Sequence, residues 1–260
     1  MVIFVFVFDL IQDLNGFING LDAAGNTSIV LGLKWGVALL DPDMRSTFTD
    51  LIGTGDINGD GLSDLLLGDT SAPSISKASY VIYGNATGTG LDFSSGILAA
   101  SQGFKITDDG LGSNFGATAS GAGDFNGDGF EDFIVSAPQN QYAEWAANVA
   151  DIYLIYGTAN GIPSISNIDS MTATQGIRYT NSTSGFDGYT GTVVKGIGDL
   201  NKDGYSDVVI GGLLGYNYVL WGGANKAATL DLATMNTNAT SNGFMMDSAD
   251  QWFGSGMASA

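Results

Sequence analysis

A nine-residue pattern of oxygen-bearing side chains occurs three times in this chain of 260 residues. The copies are DINGDGLSD at 56–64 (loop 1), DFNGDGFED at 124–132 (loop 2) and DLNKDGYSD at 199–207 (loop 3). Each has Asp, Asn, Asp and Asp at positions one, three, five and nine, and glycine at position six, where the chain must turn sharply. Alternating oxygen ligands on a short loop suit a hard cation, so the pattern predicts three Ca²⁺ sites.

The predicted ligands are the four polar side chains of each loop and the backbone carbonyl at position seven. They belong to Asp56, Asn58, Asp60, Leu62 and Asp64 in loop 1, to Asp124, Asn126, Asp128, Phe130 and Asp132 in loop 2, and to Asp199, Asn201, Asp203, Tyr205 and Asp207 in loop 3. Asp, Asn and Gly also favour ordinary turns, which is the alternative interpretation. However, three like charges in so short a loop repel one another, and a divalent cation would remove that repulsion.

The loops differ from EF-hand loops, which end with a bidentate Glu at position twelve and lie between two helices. Position twelve is Leu67, Val135 or Ile210 here, within a short apolar run that is typical of a buried strand. We therefore predict that the loops connect strands. Without the twelfth-position ligand, we expect a dissociation constant on the order of 10⁻⁴ to 10⁻³ M, the range of extracellular calcium modules.

The amino-acid composition limits the possible fold classes and the possible binding partners. The chain has 39 Gly and only 4 Pro, which favours many short strands joined by tight turns and predicts an all-β fold. Its net charge of −19 argues against nucleic acid and anionic lipid as partners. No apolar segment is long enough to insert into a membrane.

Residue types that are missing from the sequence exclude several chemistries. The chain has no Cys and no His, which removes disulfides, Cys/His zinc sites and Ser-His or Cys-His nucleophiles. The acids outside the loops form no convincing acid/base pair, so we predict that the chain is not an enzyme. Weak calcium loops would stay empty in a cytosol, and this predicts an extracellular or cell-surface location.

Short segments whose composition is typical of β-strands, called strand signals below, recur together with the loops. The first residues of successive loops lie 68 and 75 residues apart. A strand signal follows each loop, at 79–84, 152–157 and 217–222, and another precedes the next loop or follows the third, at 103–108, 176–181 and 243–248. With the strands that enter and leave each loop, every unit has four strands. Such units are typical of β-propeller blades, and a solenoid is the alternative, although its coils are usually shorter.

Residues 115–138 resemble the FG-GAP repeat of integrin α-chain N-terminal propellers and of bacterial surface proteins. The resemblance rests on Phe115-Gly116, on loop 2 and on the ending Ser136-Ala137-Pro138. The first and third units keep the loop but depart at the name-giving dipeptide: Phe48 is followed by Thr49, and the third unit reads Gly-Tyr-Thr-Gly at 188–191. The resemblance implies an integrin α-like adhesion or assembly module, in which calcium fixes one face of a seven-bladed propeller.

The chain carries about three such units, so we predict a partial propeller that spans residues 1–260. The expected units are a partial blade at 1–45, blades at 46–110, 111–181 and 182–248, and the start of a further blade at 249–260. Residues 1–8 are interpreted as a strand rather than a signal peptide. The chain is expected to be a fragment of a longer propeller, or to close by pairing its N-terminal strand with its truncated last unit or with another copy. Unpaired blade edges would otherwise favour self-association.

The connection at 138–148 is the predicted ligand-binding loop, because loops on a rigid scaffold usually carry recognition residues. Its Tyr142 and Trp145 could stack on a sugar ring or anchor a protein, or could fill the seam between two blades. We expect a protein or glycan ligand at a cell surface or matrix. The alternatives to an adhesion module are a calcium-stabilised lectin-like propeller and the non-catalytic propeller of a larger secreted hydrolase.

Overall fold

The computed structural model describes residues 55–69, 78–85, 98–107, 115–138, 151–182 (except 160, 163, 164 and 166), 190–212, 215–250 and 253. The chain divides into two units, Met1–Ile52 and Gly53–Ala260, and every described residue belongs to the second. The described residues form twelve strands and two short 3₁₀ helices, Ile168–Ser170 and Leu232–Thr234. The predicted all-β class is therefore confirmed. The partial blade predicted at 1–45 lies outside the described residues.

The strands assemble into three sheets, and the sheets follow one another along the chain. The strands are β1 Leu65–Asp69, β2 Ala78–Ile82, β3 Gly103–Thr107, β4 Thr118–Gly123, β5 Asp132–Ala137, β6 Asp151–Ile155, β7 Gly176–Thr180, β8 Thr190–Gly198, β9 Asp207–Gly212, β10 Asn217–Leu220, β11 Thr229–Asp231 and β12 Gly243–Met246. Sheet 1 has the order β1-β2-β3, sheet 2 the order β4-β5-β6-β7 with β11 added, and sheet 3 the order β8-β9-β10-β12. No helix in the described part of the chain has the length and apolar character needed to span a bilayer.

Sheet 2 packs between the other two sheets, and the alternation of side chains along β5 shows how. Phe133 and Val135 belong to an apolar cluster shared with Ile57, Val81 and other residues of the first repeat. Ile134 belongs to a second cluster shared with Val208, Ile210 and other residues of sheet 3. Every residue of β5 is buried because both faces of its sheet are covered. The apolar runs that follow loops 2 and 3 are therefore central strands, β5 and β9, whereas the run after loop 1 forms β1 at the edge of sheet 1.

The Phe115-Gly116 turn fastens the start of sheet 2. The Phe115 ring is fully buried and meets the ring of Tyr153 edge to face, with 5.8 Å between their centroids. Gly116 has φ 85°, and a Cβ there would lie 2.8 Å from Oγ of Ser79 in sheet 1. Glycine is required because the backbone is left-handed and because the neighbouring sheet leaves no space for a side chain.

The outer strands of sheets 1 and 2 are each extended by a segment from the following repeat. Strand β11 pairs in parallel with β7, and the N–H of Arg178 donates to the carbonyl of Ala228 at 2.8 Å. In the same way, a parallel bridge joins Ile106 to Ile165, and the N–H of Thr107 donates to the Ile165 carbonyl at 3.0 Å. Consecutive repeats are therefore joined along strand edges as well as through the apolar clusters.

Candidate metal centre

The three loops lie at corresponding places in the three sheets. Loop 2 connects β4 to β5, loop 3 connects β8 to β9, and loop 1 leads into β1. Loops 2 and 3 each join two antiparallel strands. The strands that follow loops 2 and 3 are fully buried, and Leu65, the first residue of β1 after loop 1, is also buried, so the C-terminal end of each loop lies against the core.

The first, third and fifth side chains of loop 1 fold the backbone around themselves. Both oxygens of Asp56 accept backbone N–H bonds, Oδ1 from Asp60 at 3.0 Å and Oδ2 from Gly61 at 2.7 Å. Oδ1 of Asn58 also accepts from the N–H of Asp60, at 2.9 Å, and Oδ1 of Asp60 accepts from the N–H of Leu62, at 2.8 Å. The Asn58 side chain donates to Oδ2 of Asp60 at 3.0 Å, so these two side chains lie next to each other.

Loops 2 and 3 repeat this set of hydrogen bonds. Position one accepts from the N–H groups of positions five and six, position three from that of position five, and position five from that of position seven. The acceptors are Asp124, Asn126 and Asp128 in loop 2 and Asp199, Asn201 and Asp203 in loop 3, at donor–acceptor distances of 2.9 to 3.1 Å. Three sequences that differ at positions two, four, seven and eight thus share one set of hydrogen bonds.

The ninth-position aspartates, Asp64, Asp132 and Asp207, are fully buried, with 0% of their surface exposed. Each accepts the N–H of position two in its own loop and that of the glycine that follows β2, β6 or β10. These donors are Ile57 and Gly84, Phe125 and Gly157, and Leu200 and Gly222, at 2.8 to 2.9 Å. The aspartate therefore ties the start of its loop to the far end of the neighbouring strand.

Burial raises the pKa of three acids in loops 2 and 3, Glu131, Asp132 and Asp207. It raises the pKa of Asp132 to about 8, even though backbone N–H donors lower it. Burial likewise raises the pKa of Asp207. The pKa of Glu131 is raised by burial first and then by repulsion from Asp124 and Asp56, which lie in two different loops. Negative charge is costly here because these groups are desolvated and lie close to other carboxylates.

The donor set of each loop fits a hard divalent cation. It consists of oxygen atoms only, and an ionised carboxylate has about four lone-pair sites, of which the two bonds to Asp56 use half. Hydrogen bonds bring the side chains of positions one, three and five together, while the side chain of position nine is buried. Among the described residues, no group of three or more Asp, Glu, His or Cys side chains is already arranged as a metal site. The carboxylates hydrogen-bond to backbone amides instead.

Glu131 is a candidate functional residue that the loop pattern did not identify. It occupies position eight of loop 2, where loops 1 and 3 have Ser63 and Ser206. A Cβ on Gly55 would lie 2.4 Å from Cγ of Glu131, so this side chain lies against the residue that precedes loop 1. The sequence signal that could have identified Glu131 is an acid at position eight, where the other two loops have serine. Tyr142 and Trp145, the predicted ligand-binding residues, lie outside the described residues.

Comparisons with known proteins agree with these features. The sequence model of the FG-GAP repeat matches residues 115–144, which include Phe115-Gly116 and loop 2. Integrin alpha-4 of Xenopus laevis is 32% identical over 179 residues, which are 68% of this chain and 15% of that protein. Integrin alpha-6 of Gallus gallus is 30% identical over 103 residues, 40% of this chain and 8% of that protein.

The chain therefore spans only a small part of the length of the curated relatives that it matches. The residues that match the FG-GAP repeat include loop 2 and the Phe115-Gly116 turn described above. The FG-GAP repeat inferred from the sequence is confirmed, and the chain is similar to integrin alpha chains over 68% of its length.

Proposed function

We propose that this chain is a calcium-binding, extracellular β-propeller module that binds a protein at a cell surface, as an integrin α-like adhesion module would. The observation that carries the proposal is the threefold repetition of one loop structure, in which the same acidic and amide side chains hold the same backbone N–H groups. The similarity to integrin alpha chains supports the adhesion part of the proposal.

The loop residues have distinct tasks in this proposal. Positions one, three and five would supply side-chain oxygens, position seven its backbone carbonyl, and position nine its buried carboxylate. Ca²⁺ would offset the repulsion among three carboxylates of one loop. The buried aspartate at position nine would then link ion binding to the packing of the strand beyond it, because it holds Gly84, Gly157 or Gly222.

The stacking of three sheets supports the proposed partial propeller. Sheet 2 is covered on both faces by its sequence neighbours, as a blade inside a propeller would be. Sheet 2 contains the four antiparallel strands β4 to β7 besides the parallel β11, and sheet 3 contains the four antiparallel strands β8, β9, β10 and β12, the number expected for a blade. We retain the proposed blade divisions at 46–110, 111–181 and 182–248 on this basis.

Calcium is expected to stabilise the folded chain. With dissociation constants on the order of 10⁻⁴ to 10⁻³ M, 1 mM CaCl₂ should add about 0.4 to 1.4 kcal/mol per occupied loop, because the ion binds the folded loop and not the unfolded chain. Thermal unfolding followed by circular dichroism should give a higher Tm in CaCl₂ than in EDTA. Isothermal titration calorimetry should give three ions bound per chain.

The matched control removes one exposed carboxylate from each loop. A variant with Asp60→Ala, Asp128→Ala and Asp203→Ala keeps the buried aspartates and should fold in EDTA, but calcium should no longer raise its Tm. MgCl₂ at the same concentration should have a smaller effect on the unmodified chain, since Mg²⁺ needs a smaller octahedral site. Equal melting of the unmodified chain in CaCl₂ and in EDTA, with no heat of binding, would overturn the proposal.

A further inference from the structure

Adjacent loops are joined by the same backbone contacts at both junctions between them. The carbonyl at position one of a loop accepts the N–H at position eight of the next loop, and the carbonyl at position two accepts an N–H beyond the next sheet's third strand. The pairs are Glu131 N to Asp56 O at 3.4 Å, Ser206 N to Asp124 O at 3.0 Å, Thr158 N to Ile57 O at 3.0 Å and Gly223 N to Phe125 O at 2.7 Å. Each following repeat thus holds the first two residues of the preceding loop.

Burial at position two shows the effect of this contact. Ile57 and Phe125, which have a following loop against them, are fully buried, whereas Leu200 in loop 3 is 55% exposed. The same residue position is therefore part of the core or part of the surface according to whether another loop of this chain covers it.

An aromatic ring adds a second contact at each junction. A Cβ on Gly59, at position four of loop 1, would lie 2.6 Å from the ring of Phe130, at position seven of loop 2. A Cβ on Gly127, at position four of loop 2, would lie 2.4 Å from the ring of Tyr205, at position seven of loop 3. The ring of the later loop therefore lies directly on the backbone of the earlier one.

This contact connects residues that the proposed function assigns to two different ions. Gly59 lies between Asn58 and Asp60, whose side chains are proposed ligands in loop 1, and Phe130 supplies the proposed carbonyl ligand of loop 2. A ring that packs on Gly59 limits the freedom of a loop segment with two positive-φ glycines, Gly59 and Gly61. A loop that is already ordered loses less conformational entropy when it binds an ion, and the effect is reciprocal.

We propose that Phe130 and Tyr205 are positioning residues that couple ion binding in adjacent loops, so that Ca²⁺ binding along loops 1 to 3 is positively cooperative. This inference rests on the proposed calcium function. Both junctions between the three described loops have this ring-on-glycine contact.

The test is a thermodynamic cycle measured by calcium titration calorimetry. Asp60→Ala should remove the loop 1 site and, if the loops are coupled, weaken the remaining sites by about fivefold or more. In a Phe130→Leu background, Asp60→Ala should leave the remaining sites unchanged, because the ring contact that carries the proposed coupling is already lost while the backbone bonds between the loops remain. Leu is a conservative choice since loop 1 already has Leu62 at this position.

Ring-retaining variants and matched glycines separate coupling from simple packing. Phe130→Tyr and Tyr205→Phe should keep a Hill coefficient above one, whereas Phe130→Leu and Tyr205→Leu should lower it towards one. Gly127→Ala should reduce cooperativity, while Gly129→Ala should not, because both have positive φ but no atom lies within 4 Å of a Cβ on Gly129. A purely structural ring would lower the Tm in EDTA without changing the Hill coefficient.

The outcomes for the two proposals are distinct. Three ions bound with affinities that Asp60→Ala does not alter would overturn the coupling and leave the calcium function intact. Absence of any calcium uptake by the unmodified chain would overturn the calcium function itself, and the coupling with it. A fivefold loss that Phe130→Leu abolishes, and that Phe130→Tyr preserves, supports the coupling.

Discussion

Replacing Asp132 with alanine is expected to destabilise the folded chain by about 3 kcal/mol or more even when no metal is present, because buried N–H donors left without a partner cost about 1 to 3 kcal/mol each. The carboxylate is fully buried and accepts N–H bonds from Phe125 and Gly157 at 2.9 Å and from Asn126 at 3.2 Å. Alanine would leave these three donors without an acceptor, and the N–H groups of Phe125 and Gly157 are buried from water. Urea unfolding in EDTA, followed by circular dichroism, measures the loss.

Asp128 in the same loop is the matched control, because it is exposed and bonds only to neighbours within loop 2. Asp128→Ala should cost about 1 kcal/mol or less in EDTA. In 1 mM CaCl₂ the cost of Asp128→Ala should rise by about 0.4 to 1.4 kcal/mol, since this variant loses the stabilisation that loop 2 gains from the ion. Equal losses for the two variants in EDTA would show that the buried position of Asp132 has no special structural role.

Replacing Phe115 with alanine should cost about 3 to 5 kcal/mol, the range for truncating a buried aromatic side chain. The ring is fully buried in the cluster between sheets 1 and 2 and contacts Tyr153 edge to face. The large cavity would lie where the FG-GAP repeat begins. Guanidinium unfolding should show a lower midpoint with an unchanged slope.

Phe253 provides the comparison, because it also precedes a glycine but is 43% exposed. Phe253→Ala should change the free energy of unfolding by less than about 1 kcal/mol. The two variants remove the same side chain from the same dipeptide, so their difference isolates burial. A loss for Phe253→Ala as large as that for Phe115→Ala would contradict this explanation.

The sequence predicted the features that depend on local spacing. The strand signals at 79–84 and 152–157 correspond to β2 and β6, because apolar runs between turn residues have few other stable conformations. Asp, Asn and Gly at fixed intervals define the loop conformation for a similar reason, since each polar side chain bonds to an amide two to five residues away. The calcium sites and the closure of a propeller remain predictions.

Features that depend on tertiary packing could not be predicted in this way. The bond from Gly84 to Asp64 joins residues 20 apart in sequence, so the pattern assigned Asp64 to a ligand set without showing that it also fastens a strand. Strand β11, Thr229–Asp231, is too short to give a periodic signal. The location of Glu131 beside loop 1 likewise follows from how two sheets pack, which no single repeat encodes.

The parallel pairing of β11 with β7 affects how such repeats can be exchanged between proteins. A chain cut after residue 182 would retain the four antiparallel strands of sheet 2, but the N–H of Arg178 would lose Ala228 as its acceptor. Transplanting this repeat would require carrying the next repeat's segment through Asp231 as well. The segment that can be transferred intact is thus longer than one sheet and includes part of the following repeat. This overlap favours inheritance of neighbouring repeats as pairs.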